Sequence, residues 1–197
     1  MSFYSLIKYC LVVILFAVLA SCGDDDDDVF APKPKGYFRI DFPEKKYITY
    51  DSTCPYSFEI PTYSFIDNDK HRGADPCWLN INFKRFNAQI HLSYKIVNHN
   101  LDTLLEQSRD FAIKHQVKAT GLEESVIIRD SAKVYGLVYD IRGNTASSLQ
   151  FYLTDSTHHF LRGALYFNAV PNIDSQKVVV DFIKKDIERM ITTFKWK

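Results

Sequence analysis

Seven glycines and seven prolines among 197 residues are too few for a collagen-like or low-complexity chain. Charge of one sign is also lacking. Lysine and arginine number 24 against 24 aspartates and glutamates, which removes the compositional argument for a nucleic-acid partner. No apolar run reaches the roughly 18 residues that a membrane-spanning helix needs. A glycine-rich phosphate loop, a GxSxG elbow, an HExxH pair and a CxxC pair are all missing, so the common nucleotide, hydrolase, zinc and redox signatures are excluded. What is present is 46% hydrophobic and 15% aromatic residues beside 24% charged ones. That is the composition of one folded domain with a core, not of a disordered chain.

The amino terminus has its own logic. Residues 10–20, CLVVILFAVLA, are uninterrupted by charge and follow Lys8. Eleven residues of helix span about 16 Å, against a bilayer core of roughly 30 Å, so the run reads as the apolar part of a secretory leader and not as an anchor helix. A buried helix of the fold is the competing reading. Leu19-Ala20-Ser21-Cys22 then resembles the bacterial lipobox. There a diacylglycerol is joined to the cysteine thiol and the chain is cut just before it, and two or more acyl chains give a stable anchor where one is marginal. A plain secreted protein with a chance cysteine is the alternative. Asp24 to Asp28 cannot pack in a core, and Ala31-Pro32-Lys33-Pro34-Lys35 continues them as a stiff spacer. The acidic run also looks like the surface-export signal of Bacteroidetes lipoproteins; a mere spacer and an inner-membrane retention signal are the other readings. The expected organisation is a cleaved leader at 1–21, a lipidated Cys22 with its tether at 22–35, and a single domain at 36–197.

Divided this way, the charge is no longer neutral. Removing the leader takes Lys8 and leaves 23 basic and 24 acidic groups. Setting aside the five tether aspartates leaves 19 acidic groups and a head near +4. With Cys10 discarded and Cys22 acylated, Cys54 and Cys77 remain in an oxidising compartment. A disulfide is the simplest expectation, with free buried thiols as the alternative.

Alternating apolar and polar residues predict strands near 37–42, 56–60, 77–83, 89–97, 122–129, 133–142, 147–155 and 157–168. Arg142-Gly143-Asn144 and Asp155-Ser156-Thr157 supply turn chemistry, which argues for antiparallel hairpins. Residues 100–116 carry a helical stripe of Leu101, Leu104, Leu105, Ser108, Phe111, Ala112 and His115, with Asn100 as the expected N-cap. Residues 174–194 carry another, from Val179 to Phe194, with Asp181/Lys185 and Lys184/Glu188 as surface pairs. The fold class is α+β: one antiparallel sheet of about six to eight strands with two helices. The order of elements is similar to the PsbP/Mog1-like topology.

Chemistry is sparse. Adjacent His158 and His159 on a strand face opposite ways and cannot both ligate one ion, so no metal site and no cofactor are expected. Asp140, Arg142, Asp155, His158 and Arg162 form the candidate interaction surface, on the polar face of 140–162. Structural ion pairs at strand ends compete with that reading. Asp51-Ser52-Thr53, Asp102-Thr103-Leu104, Asp130-Ser131-Ala132 and Asp155-Ser156-Thr157 resemble a short O-glycosylation sequon of Bacteroidetes.

The segments GYFRIDFPEKKY (36–47), CPYSFEIP (54–61), PCWLNINF (76–83), IHLSYK (90–95), ASSLQFYLTDSTHHFLRGALYF (146–167), PNIDS (171–175) and TFKWK (193–197) resemble the GldD gliding-motility lipoproteins of Bacteroidetes. The resemblance implies a membrane-anchored envelope protein needed for gliding, facing the periplasm or the cell surface. Its implied partners are other gliding and type IX secretion proteins, with no nucleic acid. It brings no catalytic residue, so a non-enzymatic role is expected. The other reading is an envelope enzyme or a glycan- or lipid-binding module using the 140–162 face.

Overall fold

A computed structural model describes residues 39–114 and 119–197, the side chains of 173–175 excepted. The predicted leader, Cys22, the tether and His115 lie outside these residues. The folded unit runs Ile40–Lys197. Its elements are β1 (Tyr47–Asp51), β2 (Tyr56–Pro61), β3 (Phe65–Asn68), β4 (Leu79–Phe83), β5 (Ala88–Ile96), α1 (Leu101–Lys114), β6 (Ala119–Arg129), β7 (Val134–Gly143), β8 (Ser147–Thr154), β9 (His159–Phe167), α2 (Ile173–Thr193) and β10 (Lys195–Trp196). Seven strands form an antiparallel sheet in the order β3-β4-β5-β9-β8-β7-β6, and a small sheet runs β1-β2-β10.

Alternation along the strands assigns the two faces of the large sheet. Leu149, Phe151 and Leu153 of β8 lie in register with Leu165, Gly163 and Leu161 of β9. They share one buried cluster with Ile183, Ile187 and Met190 of α2 and with Tyr56, Phe58 and Ile60 of the small sheet. Phe194 leaves the last turn of α2 and stacks on Phe58, with ring centroids 6.2 Å apart. The opposite face carries α1, whose Ala112 packs with Tyr139 and Ile141 of β7. Gly163 is required by close approach: a Cβ there would lie 2.1 Å from the Phe151 ring. Gly143 (φ 105°) and Ser156 (φ 67°) occupy left-handed turn positions at the two predicted hairpins.

The structure is α+β with two helices, as the sequence predicts. Four details differ. Residues 39–42 of the predicted first strand form no ladder; Phe42 instead stacks on Phe182 at 4.3 Å, and Pro43 beyond it has no N–H to give. The short strands β1, β3 and β10 were not expected from the pattern. At the start of α1 the Asn100 carbonyl accepts from the Leu104 N–H, while its side chain accepts from the N–H of Asn98, before the helix. On α2, Asp181 pairs with Lys177 at 3.7 Å, and Lys184 reaches across to Asp140 at 2.5 Å.

Two features fasten the periphery. A disulfide joins Cys54 to Cys77, with Cα atoms 5.6 Å apart, and ties the start of β2 to the loop before β4. Asp186 of α2, 2% exposed, accepts hydrogen bonds from Lys45 Nζ (2.6 Å), Tyr47 Oη (2.9 Å) and Tyr63 Oη (2.5 Å). Lys45 also sits 3.7 Å from the Phe182 ring centroid. Burial, followed by the Asp186 carboxylate, pushes the Tyr47 hydroxyl up to about 12 and raises Tyr63 as well.

Candidate functional site

The α1 face of the sheet is only partly covered. Beside the helix, β4, β5 and β9 expose a row of polar side chains, and between that row and α1 lies a cleft of about 530 Å³. Its floor holds His91 and Ser93 of β5 and Phe160, Arg162 and Tyr166 of β9. Gln107, Ser108 and Phe111 of α1 form one wall, with Trp78 and Asp69 opposite. The side chains are placed by hydrogen bonds among themselves. His91 Nδ1 lies 2.6 Å from Asn80 Oδ1, and Asn82 donates to Asp67 at 2.9 Å. Burial lowers the pKa of His91, against a smaller opposing pull from Asp69.

Arg162 is the focus of the cleft. Its Nη2 donates to Gln150 Oε1 at 2.5 Å, and the Phe111 ring covers its Cζ with the centroid 4.6 Å away. Burial depresses its pKa, and the hydrogen-bonded Tyr166 pulls the other way; an arginine remains charged throughout. Its Nε is buried and has no hydrogen-bond partner. Among the described residues, the ion pairs join Lys45–Asp186, Lys46–Glu44, Lys95–Asp75, Arg142–Glu123, His158–Asp155, Lys177–Asp181, Lys184–Asp140, Arg189–Glu59 and Lys197–Asp51, and none involves Arg162.

The five residues expected to share one surface are distributed over two faces and two ends of the sheet. Asp140 lies opposite Leu149, and Leu149 opposite Leu165, so Asp140 belongs to the α2 face. Leu137, Tyr152 and Arg162 align on the α1 face. Strand alternation across the β7–β8 hairpin thus parts Asp140 and Arg142 from Arg162. Arg142 pairs with Glu123 at 2.5 Å, and with Asp140 it borders a second depression of about 620 Å³, also lined by Lys177 and Asp181. Asp155 sits in the β8–β9 turn, where its carboxylate accepts from the N–H groups of Thr157, His158 and His159. Burial would raise its pKa, but these bonds hold it down at about 2. His158 is exposed beside it. Of the five, only Arg162 lines the cleft. Nothing in the sequence joins it to His91, Gln107 and Phe111, because their convergence depends on how α1 crosses the sheet. The T-shaped contact of His91 with Tyr166, at 5.4 Å, pairs neighbouring strands 75 residues apart in sequence.

Among the described residues, no helix is long and apolar enough to cross a membrane. The family model of the gliding motility lipoprotein GldD matches residues 27–196. The chain belongs to the GldD family. Membership makes it a lipoprotein of gliding motility, anchored at a membrane of the cell envelope. None of the curated proteins compared with this GldD-family chain matches it. Among solved structures it is similar to the solution structure of cyanobacterial PsbP (CyanoP) from Synechocystis sp. PCC 6803. The identity is 13% and the TM-score 0.51, over 83% of this chain and 98% of that one. At that identity the likeness is one of fold, and the GldD-family head has the PsbP-like architecture.

Proposed function

We propose that the protein is a non-enzymatic, lipid-anchored component or assembly factor of the gliding and type IX secretion machinery, acting through contact with other envelope proteins. The observation that carries the reading is the family match across residues 27–196. Cys22 is its acylated residue, and residues 22–35 are the spacer that holds the head away from the lipid surface. The fate of the candidate acid and base side chains supports action by contact. Asp140 is taken up by Lys184, and Asp155 by the backbone of its own turn. The second oxygen of Asp155 accepts from the Thr157 hydroxyl at 3.0 Å, so both of its oxygens are engaged within the turn.

Deleting the gene tests the proposal. Cells without it should neither spread on agar nor export their surface adhesins, and the intact gene should restore both. Normal spreading together with normal adhesin export in the deletion strain would refute it.

A further inference from the structure

Arg162 poses a physical problem that the gliding role does not answer. A guanidinium carries five N–H donors. The acceptors found for it are Gln150 Oε1 and the Tyr166 hydroxyl, and Nε has none. Arg162 is half-buried, and a charge partly withdrawn from water is ordinarily paired with one of opposite sign. Arg162 is held under the Phe111 ring on the floor of a cleft with no carboxylate at ion-pair distance among the described residues. Such a group is a receptor for an anion that comes from outside, and a planar carboxylate matches its fork.

The rest of the cleft narrows the ligand class. β5 lies between β4 and β9, and β9 between β5 and β8, so the floor strands have both edges engaged in ladders. An extended peptide laid there would find no free backbone partner, and main-chain pairing is what gives peptide strands their affinity. Recognition must come from side chains. Those present besides Arg162 are hydroxyl, amide and imidazole groups at Ser93, Gln107, Ser108 and His91, aromatic surface from Trp78 and from Phe111, which is 45% exposed, and two charges at the rim, Lys95, paired with Asp75, and Asp69, which accepts from the His71 N–H. Alternating hydroxyl partners and aromatic faces suit a sugar ring. We infer that the cleft between α1 and β4-β5-β9 binds an acidic saccharide, with the carboxylate of a uronic acid paired to Arg162 and its ring held against Phe111. This inference is independent of the gliding role and would hold if that role failed.

Calorimetry on the full chain in detergent tests it, using short oligomers of galacturonate, glucuronate and mannuronate, their carboxyl-reduced neutral counterparts, a glutamate tripeptide and sodium acetate. At least one uronate oligomer should bind about tenfold or more tighter than its neutral counterpart, the size of one charged hydrogen bond. It should also exceed the tripeptide and acetate. Arg162→Gln should abolish the preference for acid over neutral sugar, and Arg162→Lys should retain part of it. Gln107→Glu changes an exposed side chain and leaves the core intact. It should weaken uronate binding by repulsion while sparing the neutral sugar, and it decides the matter if Arg162→Gln does not fold. No binding by any of the uronates, equal binding of acid and neutral sugar, equal binding of the tripeptide or acetate, or unchanged uronate affinity in folded Gln107→Glu would each overturn the assignment.

Discussion

Asp186 shows how one buried carboxylate can fasten two chain segments. Lys45, Tyr47 and Tyr63 all donate to it, so its removal leaves a lysine and two hydroxyls facing one another under Phe182. Breaking a buried pair from one side costs more than the pair itself contributes, about 3–5 kcal/mol. Asp186→Ala should therefore lower unfolding stability by about 3 kcal/mol, read from urea midpoints. The double variant Asp186→Leu with Lys45→Met should recover much of the loss. Asp155 makes a separate prediction through pH. Its folded pKa of about 2 lies below the ordinary 3.8, so the unfolded chain binds the proton first as acid is added. The stabilisation is complete above about pH 4 and is lost as the pH falls towards 2. Asp155→Ala should be about 1–2 kcal/mol less stable than the natural chain at pH 7. The gap should narrow steadily when the unfolding curves are repeated between pH 4 and pH 2.

At the scale of elements, β8 and β9 depend on a small residue opposite a large one. A Cβ at position 163 would sit 2.1 Å from Phe151. Gly163→Ala should cost about 1–3 kcal/mol by overpacking, and adding Phe151→Leu should return part of it; thermal unfolding of the single and double variants measures both. These strands were legible because each has one face in the core, so leucine and phenylalanine recur at every second position. The helix from Ile173 to Thr193 was legible for the same reason at a different period. The short strands were not. β3 is four residues of edge strand with mostly exposed side chains, and β10 is two residues paired to β2. Neither offers enough alternation to detect. Tyr37 to Phe42 alternates well in sequence, yet its Phe42 is used in stacking on Phe182 and not in a ladder. Periodicity reports which side chains are buried, and a segment can bury one without a strand partner.

The whole molecule is a membrane-anchored lipoprotein of the GldD family with a PsbP-like head. The family could be read from long matching segments, and the fold class from alternation. The cleft could not be read, because His91, Phe111 and Arg162 come from three elements whose approach is set by α1 crossing the sheet. The single surface expected over 140–162 divided for a related reason: the β7–β8 hairpin changes which residues face α1. One complementation experiment bears most directly on the proposal of a contact protein anchored through Cys22. A strain lacking the gene is given the natural chain, Cys22→Ala, or single alanine replacements of Asp140, Asp155 and His158, each checked for folding and abundance, and its spreading on agar is measured. The natural chain and the three alanine variants should restore spreading, and Cys22→Ala should not. Full spreading with Cys22→Ala, or its complete loss in a folded, abundant variant of Asp140, Asp155 or His158, would contradict the account.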